Sequence, residues 1–291
     1  MPDAAAWIDE RLAAAGLQRT GDVEEYRVRP WATVLRAATD GGEVWLKAPG
    51  PGTAFEVPLY ELLVEVVPDR VLTPLGVDRE RGWALLPDGG EPLGEHLRVD
   101  DLAHALAAYG QLQRGLAPHA GRMLKLGLAD MRPQAMPARF DEAVDAVGGH
   151  SEVEGMREAY REWCERLAAS PVPASIDHND LHPWNILDGA RFYDWGDAVV
   201  AHPFASMLGG LGFSPIPAES LPGVRDAYLE GFAEYGSHDD LVTEMELACR
   251  VAKVARALTW HRAVADTGGE HADAPREALD SLLDESYLGR V

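Results

Sequence analysis

The sequence predicts an α+β protein in which a small lobe with an antiparallel sheet and one helix precedes a larger, mainly helical lobe. Short strand-like runs of alternating apolar and polar residues dominate the first 88 residues. Apolar residues at helical spacing dominate the chain after residue 90. Because Pro87-Asp88-Gly89-Gly90 interrupts both patterns, we expect domains over residues 1–88 and 89–291.

The pattern of the first domain predicts an N-terminal helix, followed by strands before and after one further helix. Asp40-Gly41-Gly42 is a typical hairpin turn, and Pro68 ends a segment with apolar residues at helical spacing. The predicted elements are a helix over 3–15, strands over 24–28, 33–38 and 43–48, a helix over 59–66, and strand-like segments over 71–77 and 83–86.

The second domain reads as helices. One apolar stripe, in which successive members are 4, 3, 3 and 4 residues apart, consists of Leu102, Leu106, Tyr109, Leu112 and Leu116. Further helices are predicted over 137–147 and 151–169, and three or four more after residue 203. Segments of this kind, separated by short turns, favour a mainly helical domain.

The composition restricts the class of partner. The 291 residues include 26 Lys and Arg and 48 Asp and Glu, a formal net charge of −22. Such a chain repels nucleic acid and anionic membrane, so we expect neither as a partner. The sequence shows no export signal and no apolar run of membrane-spanning length, and Cys164 and Cys249 lack metal-type spacing. We therefore expect a cytoplasmic protein whose oligomeric state the sequence leaves open.

Residues 178–194 carry the strongest functional signal. Asp180, Asn185 and Asp194 stand around two apolar runs that flank the turn Asp188-Gly189, a pattern that predicts a short hairpin. A hairpin brings its ends together, so these three side chains should lie in one small region. Carboxylate and amide oxygens suit a magnesium ion that also binds phosphates.

The same residues resemble a known family. His178-Asn179-Asp180 with Asn185, followed by Asp194-Trp195-Gly196, is similar to the catalytic loop and metal loop of the aminoglycoside phosphotransferase family of small-molecule kinases. The resemblance implies a two-lobed protein-kinase-like fold, with a nucleotide-binding lobe over 1–88 and the catalytic loop and acceptor site in 89–291. It also implies Asp180 as the catalytic base, Asn185 and Asp194 as Mg²⁺ ligands, and ATP as the phosphoryl donor.

The resemblance assigns residues of the first lobe to the nucleotide. Lys47, on the third strand, is expected to hold the α- and β-phosphates with Glu56 as its carboxylate partner, and Glu61 is the alternative partner. The nucleotide base is expected to lie against the backbone at Leu86 and Asp88. The stretch 27–32, where a phosphate-covering loop belongs, contains no glycine.

The acceptor and the reaction leave alternatives open. Acids at 230, 234, 239, 240, 244 and 246 favour a cationic amino sugar or an aminoglycoside-like antibiotic, which would make the protein an antibiotic-resistance enzyme. A metabolic kinase with a neutral acceptor shares the same motifs. A metal-dependent hydrolase that uses His178, Asp180 and His182 is a further alternative. A nucleotide-binding regulator without catalysis is the last, suggested by the missing glycines.

Overall fold

The computed structural model describes residues 3–148, 151–264 and 271–288. It divides into two compact units, Met1–Gly90 and Glu91–Val291. In the described part of the chain, no helix is both long and apolar enough to cross a lipid bilayer.

The first unit contains an antiparallel sheet with strand order β1-β2-β3-β5-β4. Its elements are α1 (Ala4–Ala14), β1 (Arg19–Arg29), β2 (Ala32–Thr39), β3 (Gly42–Pro49), α2 (Glu56–Val66), β4 (Gly76–Asp78) and β5 (Trp83–Pro87). The predicted antiparallel sheet is confirmed. The first strand is longer than predicted, and only the end of the segment predicted as a strand over 71–77 pairs in the sheet.

Alternation along β3 determines which side chains face the core of this unit. Val44 and Leu46 are buried in one apolar cluster with Ile8 and Leu12 of α1. Because successive strand residues point to opposite faces, Lys47 is directed to the other face of the sheet. Burial of Leu46 thus fixes the direction of the lysine that follows it.

The second unit is mainly helical, as predicted. Its elements are α3 (Val99–Leu116), α4 (Ala120–Lys125), β6 (Ala129–Met131), α5 (Met136–Val147), α6 (Ser151–Gly155), α7 (Arg157–Ala168), β7 (Ser175–Asp177), β8 (Ile186–Leu187), β9 (Arg191–Phe192), β10 (Val199–Ala201), α8 (Met207–Gly212), α9 (Leu221–Glu230), α10 (His238–Val264) and α11 (Ala274–Asp280). The segment predicted as one helix over 151–169 forms α6 and α7.

Two small sheets contain or flank residues 178–197, which are called the motif below. β10 lies between β6 and β7 in one sheet, and β8 pairs with β9 in the predicted hairpin. The loop of this hairpin has three residues rather than two, since Leu187 pairs with Arg191. Gly189 (φ 73°) and Ala190 (φ 54°) both adopt left-handed backbone there. The segment 178–185, which contains the predicted base and is called the catalytic stretch below, therefore begins where β7 ends. The segment 194–196, which contains a predicted metal ligand, follows the end of β9.

A buried hydrogen-bond network holds the end of β7. Asp177 Oδ1 accepts hydrogen bonds from Asn179 N at 2.8 Å and from Ser206 Oγ at 2.7 Å. The hydroxyl of Tyr109, on α3, lies 3.0 Å from Ser206 Oγ and accepts from His178 N at 3.0 Å. Burial raises the pKa of Asp177 to about 6. The chain that enters the motif is thus fixed by a helix and by polar groups inside the protein.

Gln113 extends this network from the next turn of α3. Its amide nitrogen donates to Ile176 O and to Pro203 O, both at 2.8 Å, while its amide oxygen accepts from Tyr228 Oη at 2.7 Å. Each polar atom of the buried amide therefore has a partner, as burial requires. The result joins α3, α9 and β7 behind the motif.

Candidate active site

Lys47 and Glu56 form an ion pair within the first unit. Lys47 Nζ lies 2.6 Å from Glu56 Oε1, and the glutamate side chain is 1% exposed. Glu61, the alternative partner considered from sequence, pairs instead with Arg79 at 2.6 Å. The first residue of α2 therefore provides the carboxylate that holds the lysine of β3.

The connection between β1 and β2 takes the place of a glycine-rich loop. It is a short turn at Pro30-Trp31, and Trp31 O accepts hydrogen bonds from Gly50 N at 2.7 Å and from Thr53 Oγ1 at 2.8 Å. A Cβ on Gly50 would lie 3.0 Å from Pro30 O. The turn between β1 and β2 and the segment after β3 thus approach each other closely, and the glycine that this approach requires is Gly50, outside the turn.

Leu86 and Asp88, which were predicted to meet the nucleotide base, lie at the end of β5. The Leu86 side chain is buried, and its strand pairs with β3. Asp88 N donates to Glu43 O at 3.0 Å, and Asp88 Oδ1 accepts from Gly90 N at 2.9 Å. The amide of Asp88 is already used by the sheet, which leaves its carbonyl as the backbone group that it could offer a base.

Asp180 and Asn185 meet within the catalytic stretch. Asn185 Nδ2 donates to Asp180 O at 2.9 Å and lies 3.2 Å from Asp180 Oδ2. His182 Nε2 lies 3.4 Å from the same carboxylate oxygen. Since the amide nitrogen of Asn185 faces Asp180, its amide oxygen points away from Asp180 and can serve as a metal ligand.

The β8–β9 hairpin returns the chain to the same place. Tyr193 N donates to Asn185 O at 3.3 Å, and Asp194, with left-handed backbone (φ 62°), follows directly. The backbone of Asp194 therefore lies one residue beyond the partner of Asn185. An amide oxygen and a carboxylate are hard oxygen donors, a set that fits Mg²⁺ with phosphate and water as its other ligands.

The first histidine of the motif is arranged for support. His178 is fully buried, its Nε2 lies 2.9 Å from Tyr193 O, and the centre of its ring lies 4.7 Å from that of Trp195, with the two planes inclined at 43°. A ring nitrogen beside a carbonyl oxygen must carry the proton, so His178 Nε2 is not a zinc ligand. Within the described residues, no group of three or more His, Cys, Asp or Glu side chains could hold a metal ion. This geometry disfavours the hydrolase alternative.

Sequence reasoning missed three residues of α10 that contact the motif. Arg256 Nη1 donates to Asn179 O at 2.7 Å, and Thr259 Oγ1 accepts from Asn179 Nδ2 at 2.7 Å. Arg262 Nη2 donates to Gly196 O at 3.1 Å. Polar residues three apart in a helix rich in Ala, Val and Leu were the available signal.

Arg256 also determines the charge balance of the site. Its Nη2 lies 2.9 Å from Asp180 Oδ1, and its Nη1 lies 3.5 Å from Asp197 Oδ2. Burial alone would raise the pKa of Asp180, but the charge of Arg256 brings it below its usual range. Burial and the neighbouring Asp180 carboxylate raise the pKa of Asp197. The pKa values of the two acids thus shift in opposite directions, and Asp180 is the one that loses its proton more readily.

Comparison with known proteins identifies the family. Residues 32–241 match the model of the phosphotransferase enzyme family, which is more than half of the chain. The chain belongs to this family. It is therefore a small-molecule kinase. A search of curated protein sequences found no match.

Solved structures show the same fold as this phosphotransferase. Choline kinase LicA from Streptococcus pneumoniae has a TM-score of 0.63 and 15% identity over 99% of each chain. A choline/ethanolamine kinase family protein from Mesorhizobium loti has a TM-score of 0.62 and 18% identity over 98% of this chain and 97% of the other. Macrolide 2'-phosphotransferase type I has a TM-score of 0.58 and 15% identity over 98% of this chain and 99% of the other. The predicted kinase-like α+β fold is confirmed.

The acids of α10 that suggested a cationic acceptor are not gathered around Asp180 of the phosphotransferase. Glu246 precedes Arg256 by ten residues on α10, which is roughly 15 Å along a helix axis, and the other acids of α10 are farther. Glu244 is engaged by His202 Nε2 at 2.8 Å. These acids therefore do not support a local cation site at Asp180.

Gly209 of α8 presses on the backbone of the catalytic stretch. A Cβ at this position would lie 2.8 Å from Leu181 O and 3.2 Å from Leu181 N, so backbone next to Asp180 would have to shift. The glycine sets how closely α8 approaches the motif.

We expect Gly209→Ala to lower the turnover number of the phosphotransferase at least roughly tenfold, because displaced catalytic groups lose the geometry of reaction. Gly223→Ala, in α9, is the matched control, since a Cβ there meets nothing within 4 Å. Its turnover number should equal that of the wild type. Steady-state kinetics of both variants checks this, and equal turnover numbers in the two variants would contradict it.

Proposed function

We propose that this phosphotransferase uses Mg²⁺ and ATP to phosphorylate a hydroxyl group of a small molecule. The observation that carries the proposal is the meeting of Asp180 and Asn185, together with a hairpin that pairs the backbone of Tyr193, directly before Asp194, with Asn185. One carboxylate and two oxygen ligands in this order are what phosphoryl transfer to an alcohol requires.

Asp180 would orient the acceptor hydroxyl and accept its proton. Phosphoryl transfer passes through a loose transition state, so the carboxylate mainly positions the oxygen that attacks. About a quarter (24%) of the Asp180 side chain is exposed, which leaves room for a hydroxyl to approach. The lowered pKa of Asp180 keeps it in the form that accepts a hydrogen bond.

Asn185 and Asp194 would hold Mg²⁺, with phosphate oxygens and water as further ligands. When bound, the ion neutralises negative charge on the phosphates. The amide oxygen of Asn185 is directed by two contacts of its own amide nitrogen with Asp180. Removal of Asp194 should therefore act on nucleotide binding more than on the arrangement of the base.

Lys47 would bind the phosphates of ATP, and Glu56 would hold its ammonium group in place. Support comes from the burial of Glu56 and the 2.6 Å contact between the two side chains. The backbone at Leu86 and the carbonyl of Asp88 would meet the nucleotide base. Two unpaired, buried cysteines suit a protein that works in the reducing cytoplasm.

For the acceptor, we propose a hydroxyl compound that carries positive charge. The support is the net charge of −22, which raises the concentration of cations near the protein. The acids of α10 do not add to this support. A screen for acceptor-dependent release of ADP, over amino sugars, amino alcohols, neutral sugars and acidic metabolites, identifies the compound. Nucleotide binding with no turnover of any acceptor would indicate a regulator instead.

Asp180→Asn should lower the turnover number roughly 100-fold or more, since the amide keeps the shape but cannot accept the proton. Stabilisation of the fold by Mg²⁺ and ATP should persist in this variant. Kinetics and thermal unfolding of the same preparation check both statements. A turnover number within about threefold of the wild type, a difference under roughly 0.7 kcal/mol, would remove Asp180 from this role.

Asp194→Ala should abolish the increase in melting temperature that Mg²⁺ with ATP gives the wild-type protein. A ligand that binds only the native state stabilises it according to its occupancy, so a lost metal ligand reduces the effect. Asp188→Ala, an exposed acid in the loop of the same hairpin, is the control and should retain the full increase. An unchanged increase in Asp194→Ala would show that this residue does not hold the metal.

The Michaelis constant of the acceptor should rise with ionic strength, because salt screens the attraction between a cation and an acidic protein. The turnover number at saturating ATP should change little. Measurements at several salt concentrations check the trend. A Michaelis constant that falls or stays constant would argue against a cationic acceptor and would leave the kinase reaction untouched.

A further inference from the structure

We propose that Arg256 of α10 is a positioning residue that sets the orientation of the Asp180 carboxylate. The inference rests on the proposed role of Asp180 and adds a residue from a distant part of the sequence. Arg256 Nη2 holds Asp180 Oδ1 at 2.9 Å, while Nη1 donates to Asn179 O at 2.7 Å. One planar group therefore fixes both the side chain of Asp180 and the backbone just before it.

The guanidinium cannot easily leave this position. The side chain of Arg256 is 7% exposed, and its guanidinium carbon lies 5.5 Å from the centre of the Phe213 ring and 5.0 Å from that of Trp260. Aromatic faces attract a cation and exclude water from it. A buried cation that loses its carboxylate partner is costly, so Arg256 and Asp180 keep each other in place.

The two carboxylate oxygens of Asp180 have contacts of different length. Oδ1 has the short contact with Arg256, whereas Oδ2 has longer contacts, 3.2 Å to Asn185 Nδ2 and 3.4 Å to His182 Nε2. The tightly held oxygen sets the plane of the carboxylate. Oδ2 is then the oxygen that would accept a hydrogen bond from the acceptor hydroxyl.

The backbone before Asp180 is held from the same helix. Asn179 has left-handed backbone (φ 60°), a conformation that asparagine adopts more readily than most residues other than glycine. Arg256 holds its carbonyl, and Thr259, three residues later on α10, accepts from its side chain at 2.7 Å. The residue directly before Asp180 is thus fixed from one face of one helix.

Arg256 is not arranged to bind the acceptor itself. Both of its terminal nitrogens contact the motif, and Nε is buried with no hydrogen-bond partner in the described part of the chain. Its positive charge acts on Asp180 and Asp197 rather than on solvent. We therefore expect effects on turnover and not on binding of either substrate.

The test compares Arg256→Lys and Arg256→Met with the wild type, by ADP release with the acceptor that the screen identifies. Both variants should lower the turnover number, Arg256→Met roughly 100-fold and Arg256→Lys at least tenfold, because an ammonium group cannot replace a fork that holds two positions. The Michaelis constants for ATP and acceptor should change less than about threefold. Full recovery in Arg256→Lys would show that charge alone matters and would overturn the proposal.

A double-mutant cycle with Asp180→Asn separates positioning from general damage. If Arg256 acts through Asp180, adding Arg256→Met to Asp180→Asn should reduce the residual turnover less than about threefold. Effects that multiply would overturn the proposal, as would a raised Michaelis constant for the acceptor with an unchanged turnover number.

Lys253→Met removes another buried cation of α10, whose hydrogen bonds in the described part of the chain go to Ser281 O at 2.7 Å and Ser286 O at 2.9 Å rather than to the motif. It controls for lost stability and should keep the wild-type turnover number below its melting temperature. A large loss of turnover in Lys253→Met would mean that any buried charge of α10 has this effect, which contradicts a specific role for Arg256. A wild-type protein with no ATP-dependent turnover overturns the proposed function itself, an outcome distinct from all of these.

Discussion

The ion pair between Arg256 and Asp180 is the interaction on which the arrangement of the proposed active site depends. Removing one partner of a buried pair costs on the order of 3–5 kcal/mol, because the other charge stays without water. Here the pair joins the longest described helix to a short loop in which Asn179 has left-handed backbone. The buried, mostly apolar side chains of α10 hold this helix in place, and the ion pair therefore restrains the partly exposed carboxylate of Asp180.

In the first unit, an ion pair between Lys47 and Glu56 likewise holds a charged side chain in place. Lys47 is placed by the alternation of β3, whose buried residues pack on α1, and Glu56 is placed by the start of α2. Their contact at 2.6 Å requires both elements to be correctly packed. In each unit, the position of a functional charge is thus a consequence of apolar packing behind it, with a second charge that determines its direction.

The sequence predicted those parts that local patterns encode. The strands around Lys47, the helices after residue 90 and the hairpin after Asn185 each have a periodic or turn signal. The strands β6, β7 and β10 were not predicted, because three residues carry too little periodicity. Arg256 was missed since it lies 76 positions from Asp180, and only the folded chain brings them together. The acids of α10 show the converse. They suggested an acceptor site because they follow the motif in the sequence, but the folded chain does not place them beside Asp180.

The most direct test of this account concerns the carboxylate partner of Lys47. We predict that Glu56→Gln lowers kcat/KM for ATP at least roughly tenfold, since a neutral amide no longer fixes the ammonium group. Glu61→Gln, whose native acid pairs with Arg79 on the surface, should remain within about twofold of the wild type. Equal effects of the two substitutions, or a larger effect of Glu61→Gln, would contradict the claim that buried ion pairs position the chemistry of this enzyme.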